Sequence, residues 1–210
     1  AGDITTTNSN IGFLRAVTLA GPLALSTSAG AGNLTFGNTV DSDATSARAL
    51  TLTAGTGNIN FDGAVGNTNA LGAVAINAVN GVRFYDVATV GSLTQTTTGS
   101  GQFRIDGAFE ANTGGVTIDA SNVDINAAIQ ATASGQTIDV SGLTYLGGDL
   151  TTNAGDILLN GFVYLSDTVS LSTGAAGGDV TFGSSIDVEE DLLGQDLAVT
   201  AGTSDITFTG

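Results

Sequence analysis

Residues 49–66 read Ala49-Leu50-Thr51-Leu52-Thr53-Ala54-Gly55-Thr56-Gly57-Asn58-Ile59-Asn60-Phe61-Asp62-Gly63-Ala64-Val65-Gly66, and the fold is decided here. Leu50-Thr51-Leu52 and Ile59-Asn60-Phe61 are apolar-polar-apolar triplets. Period-two spacing sends both apolar side chains of a triplet to one face of a strand and the middle one to the other. Gly-rich bends separate the triplets, and a lone Val65 precedes the next bend. The phrase then recurs as Gly32-Asn33-Leu34-Thr35-Phe36, Gly178-Asp179-Val180-Thr181-Phe182 and Asp205-Ile206-Thr207-Phe208. Looser copies start at Gly2-Asp3-Ile4, Asn80-Gly81-Val82, Gln102-Phe103, Asn122-Val123, Leu143-Thr144-Tyr145 and Asp156-Ile157.

The first apolar residues of these phrases are separated by 30, 25, 23, 21, 20, 20, 14, 23 and 26 residues. Self-similarity at roughly 20–30 residues marks a repeat architecture. The gap of 14 after Leu143 reads as a merged or shortened rung. The expected fold is all-β: a single-stranded parallel β-helix (β-solenoid) of roughly ten rungs, one continuous unit over 1–210. Stacked in register, the second apolar positions predict a core ladder whose aromatic members are Phe36, Phe61, Phe84, Tyr145, Phe182 and Phe208. Middle positions such as Thr35, Asn60, Arg83, Arg104 and Asp124 point outward, and an outward Leu158 is a candidate contact residue.

A second set of triplets, from Leu23-Ala24-Leu25 to Leu197-Ala198-Val199, and a third at Val40, Val65, Phe109, Ile129, Val163 and Ile186 give three inward faces per turn. An antiparallel sandwich would instead need hairpin turns between neighbouring strands. Asn80-Gly81 and Asn160-Gly161 sit at the edges of repeat phrases rather than inside such hairpins. The Asn or Asp before each first strand predicts a corner, where such residues tolerate left-handed backbone and bond their own main chain.

Composition narrows the function. Twenty acidic residues against four arginines (Arg15, Arg48, Arg83, Arg104), with no Lys or His, give a net charge of −16. That surface repels nucleic acid and anionic membranes. With no Cys, disulfides and thiolate metal sites are excluded. No stretch of about 18 apolar residues is present to span a membrane. The calcium-roll nonapeptide is missing as well, so no cofactor or metal site is expected.

The text of residues 49–66 resembles the repeats of very large bacterial surface exoproteins, the filamentous-haemagglutinin-like and autotransporter-like adhesins. The likeness runs over nearly the whole chain. It implies a right-handed parallel β-helix, a secreted and cell-surface location, and a structural role as a shaft. Self-association end to end, or continuation of a longer chain, and a host-cell, surface or glycan receptor follow as implied partners. The family's Asn-Pro secretion motifs and Arg-Gly-Asp tripeptide are absent, Pro22 being the only proline.

Two other classes use this fold. A glycan-cleaving β-helix needs paired carboxylates at a working separation; the compact acidic groups are Asp41 with Asp43, and Glu189, Glu190 and Asp191. Without His, Lys or Trp, a proton shuttle and an indole platform are missing, so catalysis is not expected. An ice-binding solenoid needs a regular outward Thr array, for which Thr51 with Thr53 and Thr94 with Thr96 are the only start. Segments 5–16, 38–49 and 183–196 are expected to bulge as loops, with Glu189, Glu190 and Asp191 the predicted partner-contact patch. The first and last rungs are expected to present open edges, either to a longer parent or to another copy.

Overall fold

The computed structural model describes residues 2–78, 80–95, 101–188 and 194–209. Short strands, all paired in parallel, wind into a β-solenoid of about nine turns, close to the ten expected. The coils contribute to three faces, each by a short strand or, at Val65, by a single bridge. On face 1, Ile11–Phe13 pairs with Leu34–Phe36, which pairs with Asn58–Phe61, Gly81–Phe84 and Gln102–Ile105 in succession. The series continues through Asn122–Ile125 and Thr144–Leu146 to Val163–Leu165 and Ile186–Val188. Equivalent residues on that face recur after 23, 25, 23, 21, 20, 21, 19 and 23 residues. At the ~4.8 Å spacing of adjacent strands, the stack is on the order of 40 Å long.

The core is one continuous cluster from Ile11 to Ala201. Face 2 contributes the ladder Val17, Val40, Val65, Ala88, Phe109, Ile129, Leu150, Leu171 and Val199. Face 3 contributes Leu25, Leu52, Ile76, Gln95, Ile118, Val140, Leu159 and Phe182, with Phe208 next in register on the outermost strand. On face 1, Phe13, Phe36, Phe61 and Phe84 stack with ring centroids 5.3, 5.0 and 4.5 Å apart.

The predicted single aromatic ladder is corrected by this register. Phe36, Phe61 and Phe84 share face 1, but Phe182 and Phe208 stack on face 3, 4.9 Å apart. Phe182 is buried, whereas Phe208 on the last described strand is 61% exposed. Tyr145 is not in the core at all. It pairs with Asp124, while Leu146 takes the inward place beside Ile125 and Thr144 the one beside Val123. The cause is a bulge between Asp119 and Asn122, where Ala120 and Ser121 face the single Gly142. A one-residue slip exchanges the two faces of a strand.

The phrase also changes corner. Copies at Ile4, Ile157, Val180 and Ile206 lie on face 3, and those from Leu34 to Val123 on face 1. The gap of 14 is therefore a step between faces rather than a shortened rung, and the gap of 30 has the same origin. Val163 and Ile186, expected on the third set, belong to face 1 for the same reason.

Segment 5–16 is not a loop: Asn10-Ile11-Gly12-Phe13 is a full copy of the phrase and forms the first face-1 strand. Val40–Ser42 and Ile186–Val188 are strands within the other two expected loops. The true excursion in 38–49 is 43–48, which Asp43 holds together by accepting hydrogen bonds from Thr45, Ser46 and the Arg48 guanidinium.

Of the Asn and Asp residues expected at corners, Asn58 and Asn122 lie within strands, and the side-chain bonds run between coils rather than to their own turn. The Asn33 N–H donates to Asn10 Oδ1 and the Asn58 N–H to Asn33 Oδ1, both at 2.8 Å. On face 3, Asp179 and Asp205 donate their N–H groups to Asp156 and Asp179 at 2.9 and 3.1 Å. Each side chain thus ties its coil to the next, and none of these residues has positive φ.

Candidate functional site

Only outward side chains are available for recognition, and the three faces differ in what they display. Face 3 presents Ala24, Thr51, Ala75, Thr94, Thr117, Asp139, Leu158, Thr181 and Thr207. Ala, Asp and Leu interrupt the Thr column that an ice-matching surface requires, and Leu158 is half-buried between its neighbours. Face 2 presents small or polar residues, among them Asp41, Thr89, Glu110, Gln130 and Thr151. Asp41 accepts hydrogen bonds from the N–H groups of Thr68 and Asn69 and so closes a corner.

Face 1 is different. Its middle column runs Asn60, Arg83, Arg104, Asp124, Tyr145, Tyr164 and Asp187 on successive coils. Alternation forces these side chains outward because Val82, Phe84, Phe103 and Ile105 on either side are buried. Asp106, one residue beyond Ile105, lies between the two arginines. It accepts from Arg83 Nε and Arg104 Nε, both at 2.6 Å, and from Asn126 Nδ2 at 2.9 Å. Arg104 also lies 3.9 Å from Asp124, which accepts from Gln102 Nε2 at 2.6 Å. The Arg83 guanidinium carbon sits 3.3 Å from the centroid of the Tyr85 ring, a cation–π contact.

Partial burial pushes the Asp106 carboxyl up, but the hydrogen bonds from Arg104, Asn126 and Arg83 outweigh it and hold it below the ordinary value. The bond to Asp106 correspondingly raises Arg104. In formal charge the network balances, two arginines against two aspartates.

Gly81 occupies the column between Asn58 and Gln102 and leaves a notch there; a Cβ would meet Asn58 Oδ1 at 2.8 Å. With Asn60, Arg83 and Arg104 the notch opens into a shallow groove of about 180 Å³. Further along, Tyr145 and Tyr164 stack with centroids 5.5 Å apart, and Phe162 packs on Tyr164 at 4.7 Å. These three rings are half-buried and Tyr85 is 48% exposed.

Of the residues singled out in the sequence, Arg83, Arg104 and Asp124 are brought together as the spacing required. Asp41 and Asp43 have separate corner roles, Asp41 accepting from Thr68 and Asn69 and Asp43 from Thr45, Ser46 and Arg48. Glu189, Glu190 and Asp191 lie outside the described residues, as does Thr96. Sequence reasoning missed Asp106, Tyr85, Tyr145 and Tyr164. The first two follow directly after an inward residue, a position left unread in every rung; the tyrosines were hidden by the slip at Gly142. One further acidic pair exists on face 3: Asp139 is raised by burial first and then by the charge of Asp119. Among the described residues no group of three or more acidic residues is placed to hold a metal ion.

No protein family, curated protein or solved structure matches this chain.

Proposed function

We propose that the chain is a structural β-solenoid shaft of a secreted bacterial surface adhesin or extracellular fibre, and that it has no catalytic role. The observation that carries this reading is the continuous parallel stack around one core, in which every coil adds only to its neighbours. Stability in such a stack grows by nearest-neighbour terms, so the body extends without a new core being designed. The repeat text supports the adhesin part by resemblance. Exposed Ile4, Ile206 and Phe208 on outermost strands offer a template for a further coil, from the same polypeptide or a second copy.

Immunogold labelling with antibodies against this chain tests location and form together. Thin fibres at the cell surface are expected, and cytosolic label would overturn the reading. Sedimentation of the 210-residue protein tests the ends: association should rise with concentration. A monomer at every concentration, with both outer strands protected from hydrogen exchange, would remove self-stacking.

A glycan-binding β-helix is the second reading, favoured by the groove beside Arg83 and Arg104 and the outward tyrosines. Glycan cleavage has less support, because the groove beside Arg83 and Arg104 is lined by neither Asp119 nor Asp139.

A further inference from the structure

All three tyrosines of the chain lie on the outer surface of face 1, together with Phe162 and two of the four arginines. Strand propensity does not explain this, because the outer columns of faces 2 and 3 are equally strand and carry no aromatic residue. Nor does core formation, since these rings are outside the coil. The segregation gives one face a continuous strip: a polar groove at Gly81, then an apolar patch at Tyr145, Phe162 and Tyr164. From Asn58 to Tyr164 it spans five coil steps, about 24 Å along the axis.

Charge selects the occupant. An anionic ligand meets a protein of net charge −16, and the two arginines that would attract it are already paired with Asp106 and Asp124. A cationic ligand finds the same carboxylates engaged. A neutral ligand avoids both penalties. Asn60, Arg83 and Arg104 stand in one column as hydrogen-bonding groups, Gln102 lines the groove beside them, and the amide side chains carry donors and acceptors alike. A pyranose has the matching chemistry, with hydroxyls at its rim and apolar C–H faces that lie against aromatic rings. Few polar groups at fixed places beside apolar surface is the usual makeup of a small-molecule site.

We infer that the outer strip of face 1 binds a neutral, hydroxyl-rich glycan laid along the solenoid axis. This deepens the surface-shaft reading and rests on it for access to the ligand, while binding itself is measured on purified protein.

The chain has no Trp, so its intrinsic fluorescence is that of tyrosine and reports this strip alone. Purified protein is titrated with cellohexaose, chitohexaose, maltohexaose and laminarihexaose, with dextran sulfate as the anionic probe. At least one neutral hexasaccharide should give a saturable change below about 10 mM. Arg104→Ala and Tyr164→Ala should each weaken it about tenfold, roughly 1.4 kcal/mol. Thr51→Ala, on face 3, should leave it unchanged. Circular dichroism and melting confirm folding, and Tyr164→Phe, which keeps the stacked ring, should bind more tightly than Tyr164→Ala.

No saturable response to any neutral hexasaccharide would overturn the inference, as would tighter binding of dextran sulfate or equal loss in Thr51→Ala. A concentration-dependent dimer that alone accounts for the fluorescence change would give the strip to a second copy instead. Glycan binding by a protein that proves intracellular would refute the shaft and keep the site; surface fibres without a response would do the reverse.

Discussion

Phe61 lies between Phe36 and Phe84 with planes within 2° and 11° of theirs, so its removal leaves a void that two rigid neighbours cannot fill. Phe61→Ala should cost about 3–5 kcal/mol, read as a fall in melting temperature, against no more than about 0.5 kcal/mol for outward Thr51→Ala. Asp139 makes a prediction of opposite sign. Burial raises its carboxyl, the hydrogen bond from Asn160 lowers it, and nearby Asp119 raises it again, with a net rise. An acid whose folded pKa exceeds its unfolded one destabilises the fold once the pH passes both values. Asp139→Asn should therefore melt higher at neutral pH, and the advantage should disappear as the pH falls below about 4. Asp106 is held low, so its contribution is present at neutral pH and is lost as acid protonates it. Asp106→Asn should accordingly melt lower at neutral pH, and melting across pH separates the two cases.

At the scale of the element, the bulge at Gly142 sets which side chains of Thr144–Leu146 point inward. Gly142 has φ +124°, and an added Cβ would run into the Ala120 carbonyl oxygen, whereas Gly135 at φ +74° faces open space. Gly135→Ala should cost only the left-handed penalty of about 1–2 kcal/mol. Gly142→Ala should cost clearly more, measured by urea midpoint, because the backbone of two coils must separate. This element also explains what the sequence could and could not reveal. Strand identity, parallel stacking and three inward faces were legible because apolar alternation is a local property of each triplet. The face that a triplet occupies is not local. The Gly-Asx corner and the Ile-x-Phe strand serve either of two corners equally well, so Phe182 reads like Phe61 although the two stack on different faces. Tyr145 was misread because the slip that turns it outward is set by pairing with the coil below. The Arg83–Arg104–Asp124 column was legible since it precedes the slip, and Asp106 was not, since no repeat phrase reaches that far.

Viewed whole, the molecule is a column of similar coils whose interactions are almost all with the coil above and the coil below. Its backbone hydrogen bonds, such as Val40 N–H to Ala64 O at 3.0 Å and Ala88 N–H to Ala108 O at 2.9 Å, connect one coil to the next and so run along the long axis. A pull applied at the two ends loads those bonds from the outermost coil inward, a few at a time rather than all together. Each coil that peels away frees 19–25 residues, roughly 65–90 Å of extended chain. Single-molecule stretching should record a staircase of such increments at modest force, and one abrupt rupture to full length would contradict it. Under drag the column would act as a shock absorber, lengthening in instalments while its remaining coils, and whatever they hold, stay in place.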